Sequence, residues 1–142
     1  MMKWLLSSAL VLSFSTSVAF AQDATKADAE KMVKDTIKSA VDVGFDATYA
    51  LMAKGKFKKG EIYSVAYDTT GVCKAHPVKP ERVGKKATEA FMEERIARLP
   101  KSGDTLWQTY KFSNPVTKLE EDKLAYCERM KEIIFCAGVY KK

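Results

Sequence analysis

The stretch from Glu61 to Lys85 constrains the fold of this chain more than any other part of it. Its first residues alternate with a period of two, which predicts a β-strand. One side of that strand carries Tyr63, Val65 and Tyr67, and the other carries Ile62, Ser64 and Ala66. Turn-forming residues from Asp68 to Gly71 and a second short strand, Val72 to His76, complete a predicted hairpin. Pro77 ends it because proline has no N–H for a ladder, so the single histidine, His76, lies at the hairpin mouth.

The first 21 residues differ in character from the rest of the chain. Lys3 provides a basic start, an apolar run extends from Leu5 to Val18, and Ala19-Phe20-Ala21 forms an A-x-A site. This pattern predicts a secretory signal peptide that is cleaved after Ala21, and therefore a periplasmic or secreted protein. The alternative is an uncleaved membrane anchor, for which the apolar run is short.

One long helix is predicted from Asp23 to Lys54, because apolar residues recur there at steps of three and four. Thr25 and Asp28 resemble a capping box, and Gly55 is a plausible stop. At about 1.5 Å per residue the helix would be roughly 45–50 Å long. Since one small sheet cannot cover that length, we expect its first half to project, either as a partner or coiled-coil contact or as an exposed, frayed segment.

The second half of the chain predicts one helix and three strands. The helix runs from Thr88 to Leu99, and the strands run from Thr105 to Phe112, from Lys123 to Met130 and from Ile133 to Tyr140. If the last two strands turn at Lys131-Glu132, Cys127 lies directly opposite Cys136, which predicts a disulfide. A turn shifted by one or two residues would break that pairing, and the alternative is three buried thiols.

Composition and motifs exclude several function classes. With 142 residues, 46% hydrophobic and 30% charged, the chain suits one globular domain. The formal net charge is +6, but the lysines are dispersed among acids and form no basic stripe for nucleic acid. One histidine excludes a two-histidine metal site, and no nucleophile, haem or calcium-loop motif is present. We therefore expect no enzyme activity, no catalytic residues, no metal and no cofactor.

An ordered set of short motifs carries a family resemblance. The motifs are G-x-F-x-x-G-x-x-Y (Gly55, Phe57, Gly60, Tyr63), D-x-x-G-x-x-x-A-H-P (Asp68, Gly71, Ala75, His76, Pro77), V-G-K (Val83 to Lys85), W-x-x-Y-x-x-x-N-P (Trp107, Tyr110, Asn114, Pro115), K-x-x-Y (Lys123, Tyr126) and G-V-Y (Gly138 to Tyr140). Together they make Lys54 to Tyr140 resemble the single Cache domain, an extracellular sensor module related to the PAS fold. One departure is Leu106-Trp107, where the family commonly has Gly-Trp.

The resemblance implies an α+β fold in which the long helix packs behind a five-stranded antiparallel sheet of order 2-1-5-4-3. The expected organisation is a signal peptide at 1–21, the long helix at 22–54 and the sensor domain at 55–142. In that strand order, Cys73 is too far from Cys127 and Cys136 to pair and stays a free thiol. Many membrane-bound sensors of this kind pair through the helix, which here would give a homodimer through residues before Ile37.

The resemblance also implies a small-ligand pocket on the sheet face opposite the helix. Seven side chains are candidates to meet there: Tyr63, Tyr67, His76, Trp107, Tyr110, Lys123 and Tyr126. Family members bind small carboxylates, amino acids or amines, and we expect a carboxylate held by Lys123 with Tyr126 or His76. The alternatives are that the aromatic residues are core, that His76 caps the turn before Pro77, and that Lys123 faces solvent.

Family members usually continue into a transmembrane helix and a signalling module, whereas this chain stops at Lys142. The resemblance therefore implies an exported sensor that passes ligand occupancy to a separate, membrane-bound signalling partner. The alternative is an interaction protein with a vestigial pocket that acts through its long helix.

Overall fold

The computed structural model describes residues 24–141, together with Ser13. The predicted signal peptide and its cleavage after Ala21 lie outside these residues. The helices are α1 (Lys26–Val43), α2 (Phe45–Ala53) and α3 (Ala90–Arg98). The strands are β1 (Lys58–Lys59), β2 (Ile62–Tyr63), β3 (Val65–Asp68), β4 (Cys73–Ala75), β5 (Thr105–Ser113), β6 (Glu120–Met130) and β7 (Ile133–Tyr140). Within the described residues, none of the helices is long and apolar enough to cross a bilayer.

The predicted strand order is confirmed. Five strands form one antiparallel sheet in the order β4-β3-β7-β6-β5, while β1 and β2 form a separate two-stranded ribbon. The hairpin of β3 and β4 turns through Gly71, whose φ of 93° suits glycine. Asp68 fastens this turn, since its Oδ1 accepts hydrogen bonds from the backbone N–H groups of Thr70 and Val72.

The single long helix predicted from Asp23 to Lys54 is wrong, because Gly44 divides it. Gly44 has φ 89° and ψ 168°, a conformation outside the helical region that glycine adopts without steric cost. Its N–H still caps α1 by donating to the Ala40 carbonyl oxygen, and Ser39 Oγ lies 2.9 Å from Thr48 Oγ1 across the break. The capping box at Thr25 and the stop at Gly55 are both confirmed.

The expectation that the first half of the helix projects is also wrong. Ala29 and Val33 are fully buried against the sheet, and Thr36 Oγ1 donates to Ser64 Oγ over 3.0 Å. Lys34 forms an ion pair with Glu128 of β6. At about 1.5 Å per residue, the 18 residues of α1 extend roughly 27 Å, a length that the sheet covers.

Alternation along the strands places two cores on opposite faces of the sheet. Ile62 and Ala66 join the core beneath α1, while Tyr63, Val65 and Tyr67 join the core on the other face. This assignment confirms the faces that the sequence period predicts. The second face is covered by α3 and by the segment between β4 and α3, and it carries the candidate site.

The cysteine predictions are confirmed as well. Cys127 pairs with Cys136 in the β6–β7 register, and the two residues form a disulfide. Cys73 is a free, buried thiol on β4, which β3 separates from β7.

Candidate ligand-binding site

Lys123 is buried on the sheet face opposite α1, where its strand pairs with the end of β7. It lies on β6, its residue is only 3% exposed, and its Nζ is 4.0 Å from the centroid of the Tyr63 ring. The rings of Tyr140 and Phe112 lie 5.3 Å and 5.5 Å from the same nitrogen. Within residues 24–141, no carboxylate forms an ion pair with this ammonium. Aromatic faces therefore supply the contacts that attract this ammonium group at short range, through cation–π interactions.

A glycine on the neighbouring strand makes room for this lysine. Gly138 of β7 lies so close that a Cβ atom there would be 2.9 Å from Lys123 Cε and 2.7 Å from the Leu124 carbonyl oxygen. The G-V-Y motif at Gly138 to Tyr140 therefore has a physical role at the site. Gly138 leaves room for the aliphatic part of the Lys123 side chain, and the ring of Tyr140 is one of the aromatic rings that surround the Lys123 ammonium group.

Burial strongly disfavours the charged form of Lys123. Loss of hydration is the main cause, the positive charge of Arg95 adds to it, and the negative charge of Glu61 opposes it. Together these effects lower the pKa of Lys123 to about 7. A bound anion beside Nζ would restore the pKa toward its ordinary range.

Arg95 of α3 brings a second buried cation to the same face. Its residue is 1% exposed, and its Nε donates to Gln108 Oε1 over 3.0 Å. Gln108 is itself oriented by a 2.8 Å hydrogen bond from its Nε2 to the Phe91 carbonyl oxygen. The Arg95 guanidinium carbon lies 5.3 Å and 5.2 Å from the ring centroids of Phe91 and Tyr110.

One donor of this guanidinium has no partner in the described part of the chain. Arg95 Nη2 is buried and makes no hydrogen bond. A buried donor without a partner costs free energy, roughly 1–3 kcal/mol and more when it is charged. An anionic ligand oxygen would remove that cost.

His76 contributes an oriented, neutral imidazole. Its Nδ1 accepts a hydrogen bond from the Lys79 backbone N–H over 2.9 Å, so the neutral ring carries its proton on Nε2. Burial, followed by the charges of Lys123, Arg82 and Lys79, lowers the pKa of His76 to about 3. The side chain therefore caps the turn from His76 to Lys79, which contains Pro77, and not a turn before Pro77. It also belongs to the candidate site, since its ring packs against Tyr63.

Three tyrosine hydroxyls on this face, those of Tyr63, Tyr67 and Tyr140, form hydrogen bonds. Tyr63 Oη lies 3.4 Å from Tyr140 Oη, which donates to the Ser113 carbonyl oxygen over 2.7 Å. Tyr67 Oη accepts a 3.1 Å hydrogen bond from Arg82 Nε. These hydrogen bonds fix the orientation of the three hydroxyl groups.

Two of the seven predicted residues lie on the other face of the sheet. Trp107 and Tyr126 pack together beneath α1, with ring centroids 5.2 Å apart, and belong to the core that contains Ala29. Tyr126 Oη donates to Glu128 Oε1 over 2.6 Å. The prediction that all seven side chains meet over one face is therefore wrong, because residues three apart in a strand point to opposite faces.

The remaining five residues, Tyr63, Tyr67, His76, Tyr110 and Lys123, do share one face. The sequence reasoning missed Arg95, although its position offered a signal. Met92, Arg95 and Leu99 are buried at helical spacing on one side of the α3 region. An arginine within such an apolar stripe indicates a buried cation.

Several solved structures resemble this molecule, whereas the comparisons of its sequence found no match. No protein-family profile matches the chain, and no curated protein sequence matches it significantly. A methyl-accepting chemotaxis protein from Vibrio parahaemolyticus superimposes with a TM-score of 0.66 at 17% identity, covering 81% of this chain and 87% of that chain. The periplasmic sensor domain of a chemotaxis protein gives a TM-score of 0.62 at 13% identity, covering 80% and 88%.

A third similar structure identifies the fold. It is a Cache chemosensory domain that was solved to explain carboxylic acid recognition, with a TM-score of 0.60 at 17% identity, covering 80% of this chain and 86% of that chain. The present chain has the Cache fold. Its long N-terminal helix, here broken into α1 and α2, and its five-stranded sheet therefore have the arrangement of a single Cache domain, a fold related to PAS.

Proposed function

We propose that this Cache domain is an exported, non-enzymatic sensor that binds a small carboxylate on the sheet face opposite α1. The observation that carries the proposal is the pair of buried cations on that face, Lys123 and Arg95, neither of which forms an ion pair with a carboxylate of residues 24–141. A carboxylate accepts hydrogen bonds from both groups and neutralises the charge that burial penalises.

The residues around the two cations favour a compact anion over an amine. An ammonium ligand would add a third positive charge beside Lys123 and Arg95. Glu61 is the carboxylate whose negative charge acts on Lys123. This carboxylate already accepts a 3.2 Å hydrogen bond from Asn114 Nδ2. The aromatic rings of Tyr63, Phe112 and Tyr140 would pack against a short carbon chain. Acetate, propionate, lactate and pyruvate are ligands of this size.

A thermal-shift screen tests the proposal. The screen compares those carboxylates with amino acids and with amines of matched size. A carboxylate present at about 100 times its Kd should raise the free energy of unfolding by roughly 2.7 kcal/mol. Stabilisation by amines without any effect of carboxylates would contradict the charge assignment. No stabilisation by any compound would favour the interaction protein with a vestigial pocket.

Export and signalling complete the proposal. The signal peptide and its cleavage near Ala21 are tested by the intact mass of protein recovered from the native host. Ligand occupancy would be passed to a separate membrane-bound partner, as the similarity to chemotaxis sensor domains suggests. A partner that co-purifies with the protein only in the presence of the carboxylate would support this step.

The structure restricts how a homodimer through α1 would form. The apolar side of α1 already packs on the sheet, so only its outward side remains. That side carries the ion pairs Lys31–Asp35 and Lys38–Asp42, and exposed pairs of this kind contribute little. Sedimentation at concentrations well above micromolar tests whether the domain dimerises.

A further inference from the structure

The cationic site is closed in this structure. Lys123 and Arg95 are both almost fully buried. A carboxylate that approaches from solvent therefore has to displace a side chain before it can reach the Lys123 ammonium group. The contacts of the surrounding residues show which side chain can move at the lowest cost.

Two of the rings around Lys123 are held in place by hydrogen bonds. In the described part of the chain, the rings that lie close to its Nζ belong to Tyr63, Tyr140 and Phe112. Tyr63 and Tyr140 are buried, their hydroxyl oxygens lie 3.4 Å apart, and the Tyr140 hydroxyl donates to the Ser113 carbonyl oxygen over 2.7 Å. Moving either tyrosine would break hydrogen bonds of buried groups, which is costly.

The side of the site that faces α3 is also held by hydrogen bonds. Arg95 Nε donates to Gln108 Oε1 over 3.0 Å, and Gln108 Nε2 donates to the Phe91 carbonyl oxygen over 2.8 Å. Gln108 is buried as well. A ligand that entered from this side would have to break this chain of hydrogen bonds.

Phe112 differs from these neighbours. It is half-buried, it lies one residue before the end of β5, and β5 is an edge strand of the sheet. Its phenyl ring has neither a hydrogen-bond donor nor an acceptor, so stacking and cation–π contacts hold it in place. Rotation of the ring to another rotamer would leave no buried polar group without its partner.

The Phe112 ring also connects the buried site with the loop at residues 77–82. Its centroid lies 5.5 Å from Lys123 Nζ. The same centroid lies 4.8 Å from Lys79 Nζ and 5.6 Å from the guanidinium carbon of Arg82. Lys79 and Arg82 are half-buried and therefore meet solvent. The ring thus lies at the border between the buried ammonium group and the partly exposed side chains of this loop.

We propose that Phe112 is the gate of the carboxylate site and determines the chain length of the ligand that enters it. The inference rests on the proposed function. The ring rotates outward to admit a ligand, and in the bound state it limits the space for the ligand's carbon chain. That chain extends toward Phe112, because the other neighbours of the cations are buried and hydrogen-bonded. Phe112 therefore admits acetate and propionate and excludes longer chains.

Access to the Lys123 amine tests the gate without a ligand. Peptide mapping measures the acetylation rate of Lys123 by trace acetic anhydride from about pH 8 to about pH 11, with the exposed Lys111 as internal reference. A fit separates the pKa of Lys123 from the limiting rate of its neutral amine. Since a minor open state is typically populated at about 0.1–10%, Phe112→Ala should raise this limiting rate at least tenfold.

Two further variants accompany Phe112→Ala. Trp107→Leu is the matched control, because Trp107 lies on the same strand but packs beneath α1, on the other face of the sheet. It should leave the limiting rate of Lys123 as in the wild type. Phe112→Leu is a milder change that covers the case in which Phe112→Ala does not fold, and it should raise the rate by a smaller factor. Urea unfolding shows that each variant is folded.

Titration with acetate, propionate, butyrate and pentanoate tests the selection of chain length. Each buried CH₂ group contributes about fourfold to affinity, so room for two more of them should raise the ratio of pentanoate to propionate affinity by about 15-fold. We expect this increase in Phe112→Ala and the wild-type ratio in Trp107→Leu.

The outcomes separate the gate from the proposed function. An unchanged limiting rate in the Phe112 variants, or an equal increase in Trp107→Leu, would overturn the gate whether or not carboxylates bind. An unchanged affinity ratio in Phe112→Ala would overturn the selection of chain length. If no carboxylate binds any of the proteins but Lys123 is acetylated faster in Phe112→Ala, the proposed function fails together with the selection of chain length, and the gate stands.

Discussion

The Lys123 ammonium nitrogen lies 4.0 Å from the centre of the Tyr63 ring and has no ion-pair partner within residues 24–141. An aromatic face attracts a cation by about 0.5–2 kcal/mol, far less than the cost of removing a charge from water. The site therefore holds a charge that the fold alone does not stabilise, and this arrangement underlies the first two predictions.

Lys123→Met should abolish stabilisation by carboxylates while leaving the free energy of unfolding unchanged or higher. Methionine fills a similar volume and removes a buried charge without a partner. Thermal unfolding with and without the best carboxylate measures both effects. Lys111→Met is the control, because Lys111 is an exposed lysine of β5 that pairs with Asp122. If Lys123→Met binds carboxylate like wild type, the site assignment is wrong.

Relative to the Lys123→Met variant, the unliganded protein should become more stable as pH rises from about 7 to about 10. The pKa of Lys123 is about 7 in the folded protein and near 10.5 when exposed, so only the unfolded chain holds this proton in that window. Below pH 7 the lysine is charged in both states, and the full cost of burying the charge is present. Across this pH range, the difference in the free energy of unfolding between the wild type and Lys123→Met should change by a few kcal/mol, which is the free energy that corresponds to the pKa shift. A constant difference between the two proteins would contradict the burial of a charged lysine.

Carboxylate affinity should be constant below about pH 7 and should fall toward tenfold per pH unit above it. The ligand binds the protonated lysine, so binding at pH 8 requires proton uptake. His76 stays neutral throughout, since burial lowers its pKa to about 3. Calorimetry in buffers of different ionisation enthalpy measures the uptake. Binding without proton uptake at pH 8 would show that Lys123 is not the group that meets the anion.

Two aromatic residues of β5, Trp107 and Tyr110, should differ in their effect on ligand binding because they lie on opposite faces of the sheet. Tyr110→Leu should weaken carboxylate binding several-fold, because the ring stacks on Phe91 at 4.1 Å and faces the Arg95 guanidinium. Trp107→Leu should lower stability but leave affinity unchanged, because Trp107 packs beneath α1. Titration of both variants measures the affinities. Equal loss of affinity in the two would contradict the assignment of faces.

Gly138→Ala should lower stability and carboxylate affinity together. A Cβ atom there would meet the Leu124 carbonyl oxygen at 2.7 Å and Lys123 Cε at 2.9 Å, and the backbone atom cannot move aside cheaply. Gly84→Ala is the control, since open space surrounds it and only its φ of 82° penalises alanine, by about 1–2 kcal/mol. Denaturant unfolding and ligand titration compare the two. An affinity loss in Gly84→Ala alone would contradict the prediction.

Reduction of the Cys127–Cys136 disulfide should lower the free energy of unfolding by about 3 kcal/mol, the loop-closure value for roughly ten residues. Under denaturing, non-reducing conditions one cysteine should be alkylated, and peptide mapping should place the label on Cys73. The Cys73→Ala variant should take no label at all. Labelling of all three cysteines in the wild type would exclude the bridge.

Features that depend on short-range order could be predicted from the sequence. The period of two between Ile62 and Tyr67 assigned each side chain to its face, and the turn at Lys131-Glu132 set the register that pairs Cys127 with Cys136. The strand order came from the family resemblance. The same period separates Trp107 from Tyr110 and Tyr126 from Lys123, since each pair is three residues apart. The period therefore places Trp107 and Tyr126 on the face opposite Tyr110 and Lys123, as the structure shows.

Other features depended on tertiary contacts. Gly44 breaks the helix, although the helical period continues through it, because α2 must turn to pack Thr48 and Met52 into the fold. Arg95 and Lys123 lie 28 positions apart, and only the packing of α3 on β5 brings their charges together. The sequence alone determined which residues each strand presents to each face, because the backbone period is local. Which cations meet on that face was decided by the tertiary structure, because it depends on how a helix packs against strands distant in sequence.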